Sequence, residues 1–118
     1  MHELSFAAEI VESIEREAQR YPGCTVTRVR LGLGEMLSIE PASLAFCLEA
    51  VAVGTVMERA KIEFDEVPLE LDCTQCGPVH VRSLFENACP QCGRAGAIVS
   101  GTEITIKEIE IHEPDDQA

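Results

Sequence analysis

Two places in this 118-residue chain gather side chains able to hold a metal ion. The first is the pair Cys73-x-x-Cys76-Gly77 and Cys89-Pro90-x-Cys92-Gly93, with twelve residues between Cys76 and Cys89. In each knuckle two thiolates converge on one ion while backbone N–H groups aim at the sulfurs, and the glycine after the second cysteine lets the turn close. Together they supply four sulfurs in the tetrahedral arrangement of structural zinc, with Zn–S distances of about 2.3 Å expected. Iron in a rubredoxin-like site is the competing metal, and the colour of the purified protein separates the two. Four thiolates leave no position for water or substrate, so the spacing predicts Zn(II) that stabilises a fold and does no catalysis.

The second place is the amino terminus, Met1-His2-Glu3. The terminal amine of Met1, the backbone nitrogen of His2 and one imidazole nitrogen of His2 can close a five-membered and a six-membered ring on one ion. With that backbone nitrogen deprotonated, the donors favour the square-planar or tetragonal nitrogen coordination of Ni(II) and Cu(II). A histidine on a loose terminus with no metal role is the simpler alternative, and these letters alone leave both open.

The remaining candidates are weaker. Cys24 and Cys47 lack partners at ligand spacing and read as buried small hydrophobes. His80 reads as a solvated loop residue between the knuckles, and His112 as part of a solvated tail. The glycines of LGLGE lack the Lys-Ser/Thr of a phosphate loop, and no serine or cysteine has triad partners, so the chain is not read as an enzyme.

The elements that must position these groups follow from periodicity. Ala7, Ile10, Val11, Ile14 and Ala18 make one helical stripe, with Glu9, Glu12, Glu15, Arg16 and Glu17 on the outer face, and Tyr21-Pro22-Gly23 stops the helix. TVTRVRLGL alternates as a strand, with Thr27, Val29, Leu31 and Leu33 on one face. Pro41 opens a second helix carrying Leu44, Cys47, Leu48 and Val51 and ending at Gly54. AKIEFDEVPLEL and TEITIKEIEI read as a second and a third strand. Each changes parity midway, by a β-bulge or by a change of packing partner.

The order predicts an α+β fold: a three-stranded mixed sheet with two helices on one face, and an inserted four-cysteine zinc-ribbon-like module. The first two strands form a right-handed parallel crossover, and the third most simply runs antiparallel beside the second. The expected domains are a discontinuous α/β domain over 1–71 and 98–113, a zinc-binding module over 72–97, and an acidic tail over 114–118. A module of about 25 residues cannot bury enough surface to order itself without a staple.

Nine Lys and Arg stand against twenty-one Asp and Glu, a formal charge of −12, which opposes binding to nucleic acid. No apolar run approaches the roughly 20 residues that span a bilayer, so the expectation is a cytoplasmic protein without a membrane partner. Six cysteines in such a compartment read as ligands or core residues, not disulfides.

MHELS, VTRVRLGLGE, EPASLAF, the two knuckles and ITIKEIEI, in that order and at that spacing, resemble the hydrogenase-maturation nickel chaperones of the HypA/HybF family. Only the acidic tail after Ile111 falls outside the resemblance. It implies Ni(II) carried as cargo at the amino terminus, centred on His2 with Met1 and Glu3, and structural zinc at Cys73, Cys76, Cys89 and Cys92. It also implies delivery to the large subunit of [NiFe] hydrogenase, together with a nickel-handling GTPase, and in some members service to urease. A zinc-ribbon adaptor that binds protein and never handles nickel is the alternative, supported by the acidic surface and the closed thiolate site. Oligomeric state is not legible in the sequence.

Overall fold

The computed structural model describes residues 2–114, with His2 described by its backbone alone. In chain order the elements are α1 (His2–Ala18), β1 (Thr25–Gly34), a 3-10 turn (Glu35–Leu37), α2 (Pro41–Ala52), β2 (Lys61–Val67), β3 (Glu70–Cys73), β4 (Gly77–His80), β5 (Gly96–Ser100) and β6 (Ile104–His112). They form two three-stranded sheets, ordered β2-β1-β6 and β4-β3-β5. The chain divides into two compact units. One holds the residues up to Leu31, Ile39–Phe64 and those from Ile106 on; the other holds Gly32–Ser38 and Asp65–Thr105.

In the first unit the helical stripe is buried as its spacing predicts: Ala7, Ile10, Val11, Ile14 and Ala18 are all in the core. α1 packs on α2, which contributes Leu44, Leu48 and Ala52. The α2 start is built by Pro41 at the first helical turn and by the Glu40 carboxylate, which accepts from the Ala42 N–H at 3.3 Å. Glu15 departs from the expected solvated face. Its carboxylate accepts from the Val56 N–H at 2.7 Å and so pins the loop after α2.

The mixed three-stranded sheet and two helices are present, but the third strand lies beside the first. β1 is central and β6 pairs with it antiparallel: Thr27 bonds Glu110, and Gly34 bonds Glu103. The physical reason is apolar content. Val26, Val29, Leu31 and Leu33 of β1 are all buried, whereas β2 and β6 carry charged residues along their length, which suits edge positions. Val26, not Thr27, is the buried residue at the start of β1, so its parity changes at Thr27–Arg28. Lys107 and Glu108, where β6 changes parity, are both exposed within one continuous strand, and Arg28 reaches Glu108 at 3.3 Å. Arg28 also pairs with Glu63 and Glu110, so one guanidinium ties all three strands on that face.

The stretch read as one second strand is two. It breaks at Pro68, whose ring removes a ladder donor, and its second half becomes β3 of the other sheet. The parity change there is a change of packing partner. Leu69 and Leu71 thereby join Cys73, Val81 and Cys89 in a separate apolar cluster, with Val79 and Ile98 packed against it. The cysteine-bearing unit therefore extends beyond residues 72–97 and has a small core of its own.

Candidate metal centres

Each knuckle is presented by a hairpin. β3 and β4 pair antiparallel with Cys73 opposite Gly77, so Thr74, Gln75 and Cys76 form the connecting turn. The second knuckle closes through the Gly93 N–H to the Cys89 carbonyl at 2.8 Å and the Cys89 N–H to the Arg94 carbonyl at 2.7 Å. Gly77 and Gly93 both adopt φ of 81°, a left-handed conformation that costs a side chain energy and glycine almost none. Arg94 of the second knuckle donates to Gln75 of the first, which links the two turns. Cys73 and Cys89 are buried against the apolar cluster, and Cys76 and Cys92 face outward.

The four sulfurs lie within 4.8 Å of one another, and Cys73 Sγ is 3.4 Å from Cys92 Sγ. A tetrahedral ion with sulfur at about 2.3 Å needs sulfur–sulfur edges of about 3.8 Å, so the set fits zinc with small adjustments. Its electrostatics point the same way. The N–H groups of Cys76 and Gln75 hold the Cys73 thiol down to about 7, while hydrogen bonding with Cys92 and burial push Cys76 up to about 12. At Cys92 the Arg94 N–H lowers the value, but the Cys73 sulfur and burial outweigh it and the thiol is raised. One thiolate is favoured by its backbone donors and its neighbours resist ionising beside it; a divalent cation at the centre removes that repulsion.

At the other candidate, Met1 lies outside the described residues, and His2 is the first residue of α1. The first four N–H groups of a helix have no intrahelical partner, so the His2 nitrogen can be given to a metal without breaking the helix ladder. Glu3, half-buried in the first turn, lines a shallow groove with Leu4, Phe46 and Cys47. A carboxylate there offsets the positive end of the helix dipole, which otherwise disfavours a cation.

Of the other residues singled out, His80, His112 and Cys47 are placed differently from expectation. His80 is in strand β4, not in a loop, and its Nε2 lies 3.0 Å from Glu35 Oε1. Glu35 also accepts from the Leu69 N–H at 2.8 Å, and this backbone donor, followed by His80, holds its carboxyl below the ordinary range. Glu35 went unmarked in the sequence because a lone carboxylate in an acidic chain carries no signal. His112 is exposed but ends β6; the tail beyond Pro114 lies outside the described residues. Cys24 is buried as expected, whereas Cys47 is only partly buried and borders the groove beside Glu3. The four knuckle cysteines are the one cluster of metal-ligating side chains among the described residues.

An α+β chain that converges four cysteines on the tip of a small antiparallel sheet is a metal-binding protein with a structural thiolate centre. A family model described as "Hydrogenase/urease nickel incorporation, metallochaperone, hypA" matches residues 1–111. The curated "Hydrogenase maturation factor HypA" of Geobacter sulfurreducens is 35% identical over 112 residues, covering 94% of this chain and 99% of the relative. That of Caldanaerobacter subterraneus is 37% identical over 113 residues, at the same coverage. Among solved structures, the nickel metallochaperone HypA of Helicobacter pylori matches with a TM-score of 0.69 at 20% identity, over 94% of this chain and 97% of that one, a likeness of fold. The chain belongs to the HypA family, the nickel metallochaperones of hydrogenase maturation.

Proposed function

We propose that this chain carries one Ni(II) on its amino terminus, with the Met1 amine, the His2 backbone nitrogen and the His2 imidazole as ligands and Glu3 adjusting the site. The observation that carries the reading is the family match over residues 1–111, whose span takes in Met1-His2-Glu3. Helix geometry supports it, because the His2 nitrogen is outside the intrahelical ladder. Nickel is cargo: an open terminal site lets a recipient take ligand positions one at a time. Cys73, Cys76, Cys89 and Cys92 hold zinc, which keeps the second unit ordered and performs no reaction, so the protein is not an enzyme. The recipients are a nickel-handling GTPase of the maturation pathway and the [NiFe] hydrogenase large subunit, met in the cytoplasm. Phe46 of α2, 74% exposed, lines the groove beside Glu3, and an exposed apolar side chain there supports protein docking. No helix among the described residues is long and apolar enough to cross a membrane.

The testing experiment is metal analysis of untagged protein after exposure to nickel. About one nickel beyond the zinc, lost in His2→Ala, supports the chaperone reading; zinc alone would favour the adaptor.

A further inference from the structure

Between the two knuckles the chain makes a turn that the metal centre does not use. The Glu86 N–H bonds the Ser83 carbonyl at 3.1 Å, which puts Leu84 and Phe85 at the two corner positions. Corners of such turns ordinarily go to Pro, Gly, Asn, Asp or Ser, whose backbones are preset for them or tolerate them. Leu84 and Phe85 bring the turn no such advantage, and their side chains are 42% and 93% exposed. Polar neighbours hold the shape instead: Ser83 Oγ accepts from the Phe85 N–H at 3.0 Å, and the Glu86 carboxylate accepts from the Arg82 N–H at 2.8 Å. The base is anchored on both sides, by buried Val81, whose N–H bonds the Leu69 carbonyl at 3.0 Å, and by the Asn87 carbonyl, which accepts from the Gly96 N–H at 3.1 Å. An aromatic ring is thus held out in water on a turn whose conformation is fixed from within.

Arg82 adds a charge to this turn. Its guanidinium makes no ion pair or hydrogen bond among the described residues, whereas Arg16, Arg20, Arg28, Arg30 and Lys61 each pair with a glutamate. The nearest carboxylate in sequence, Glu86, is spent on the Arg82 backbone. In a chain with twenty-one carboxylates, a cation left without one is available to a partner's. We propose that this turn docks on the [NiFe] hydrogenase large subunit, with Phe85 and Leu84 entering an apolar pocket whose rim carries carboxylates that meet Arg82. The inference rests on the reading of that subunit as recipient. Aromatic residues and Arg are the types enriched in protein interfaces, and a turn already fixed loses little freedom on binding. The formal charge of −12 opposes nucleic acid and anionic lipid as the occupant. The cargo leaves from the amino terminus, which belongs to the first unit; a recipient gripped by the second unit does not compete for the nickel ligands.

Calorimetric titration of the zinc-loaded full chain against purified large-subunit precursor tests this, with the purified GTPase, anionic lipid vesicles and the chain's own self-association measured beside it. Phe85→Ala should weaken binding to the large subunit by about tenfold or more, the effect of one aromatic side chain no longer buried, and Phe85→Leu should recover most of it. Arg82→Glu should weaken the same binding, Arg82→Lys should restore it in part, and the wild-type affinity should fall with salt. Nickel stoichiometry and zinc content should be unchanged in Phe85→Ala, and amides of residues 83–87 should exchange more slowly in the complex. A Phe85→Ala variant that binds the large subunit as tightly as the wild type overturns the docking turn alone. So does an effect of Phe85→Ala confined to the GTPase, to vesicles or to self-association. A wild type that does not bind the large subunit overturns the recipient reading and the docking turn together.

Discussion

Cys76→Ser isolates the metal from the core that surrounds it. Cys76 is exposed, whereas Cys73 and Cys89 belong to the cluster with Leu69, Leu71 and Val81, so a near-isosteric change at Cys76 leaves that packing intact. What it removes is one of four sulfurs that lie within 4.8 Å of one another. Structural zinc contributes about 10–16 kcal/mol in small domains, so one of four thiolates is worth about 3 kcal/mol, or on the order of a hundredfold in zinc affinity. Competition against a chromogenic zinc chelator measures this directly. Cys24→Ser and Cys47→Ser, whose sulfurs lie outside the cluster, are the controls and should leave zinc affinity unchanged. Amide exchange should show β3, β4 and β5 losing protection in Cys76→Ser while α1, α2 and β1 keep theirs. Zinc affinity within a few-fold of wild type in Cys76→Ser would refute the four-thiolate centre, and loss of protection throughout the chain would refute the independence of the two units.

Further outcomes follow from the same geometry. The Glu35 carboxyl is held below its ordinary value of 4.5 by the Leu69 N–H and then by His80, so its stabilisation is full above pH 4.5 and disappears as pH falls through the lower folded value. Glu35→Gln should therefore lower the melting temperature at neutral pH and make little difference in acid, and an equal loss in both would contradict the assignment. Leu71, fully buried beneath the knuckles, should cost about 3 kcal/mol as Leu71→Ala, read by denaturant unfolding of the cysteine unit. Nickel affinity should fall as pH is lowered, since protons compete for the amine, imidazole and amide nitrogens; pH-independent binding would exclude those donors.

The knuckles were legible because ligand chemistry fixes their spacing, and both glycines adopt the left-handed turn that spacing calls for. The α1 stripe was legible for a similar reason: a helix packed on one side must repeat its apolar residues, and all five predicted positions are buried. Strand neighbours were not legible, because Ile104–Ile111 alternates equally well beside β1 or β2; only the greater burial of β1 puts it in the centre. Pro68 was the overlooked boundary. It lies within the stretch read as one strand and is the point where the chain changes sheets, which gives Leu69 and Leu71 to the cysteine unit. The Glu35–His80 pair joins residues 45 apart in sequence, a proximity that no local pattern encodes.

The central claim is that the free amino terminus itself is a nickel ligand. Calorimetric nickel titration of zinc-loaded protein with its native terminus, beside the same protein carrying a short amino-terminal extension, tests it most directly, because the extension removes the amine and keeps every side chain. The native chain should bind about one Ni(II) and the extended chain should lose that site, as His2→Ala should. An extended chain that binds nickel with undiminished affinity and stoichiometry would contradict the account.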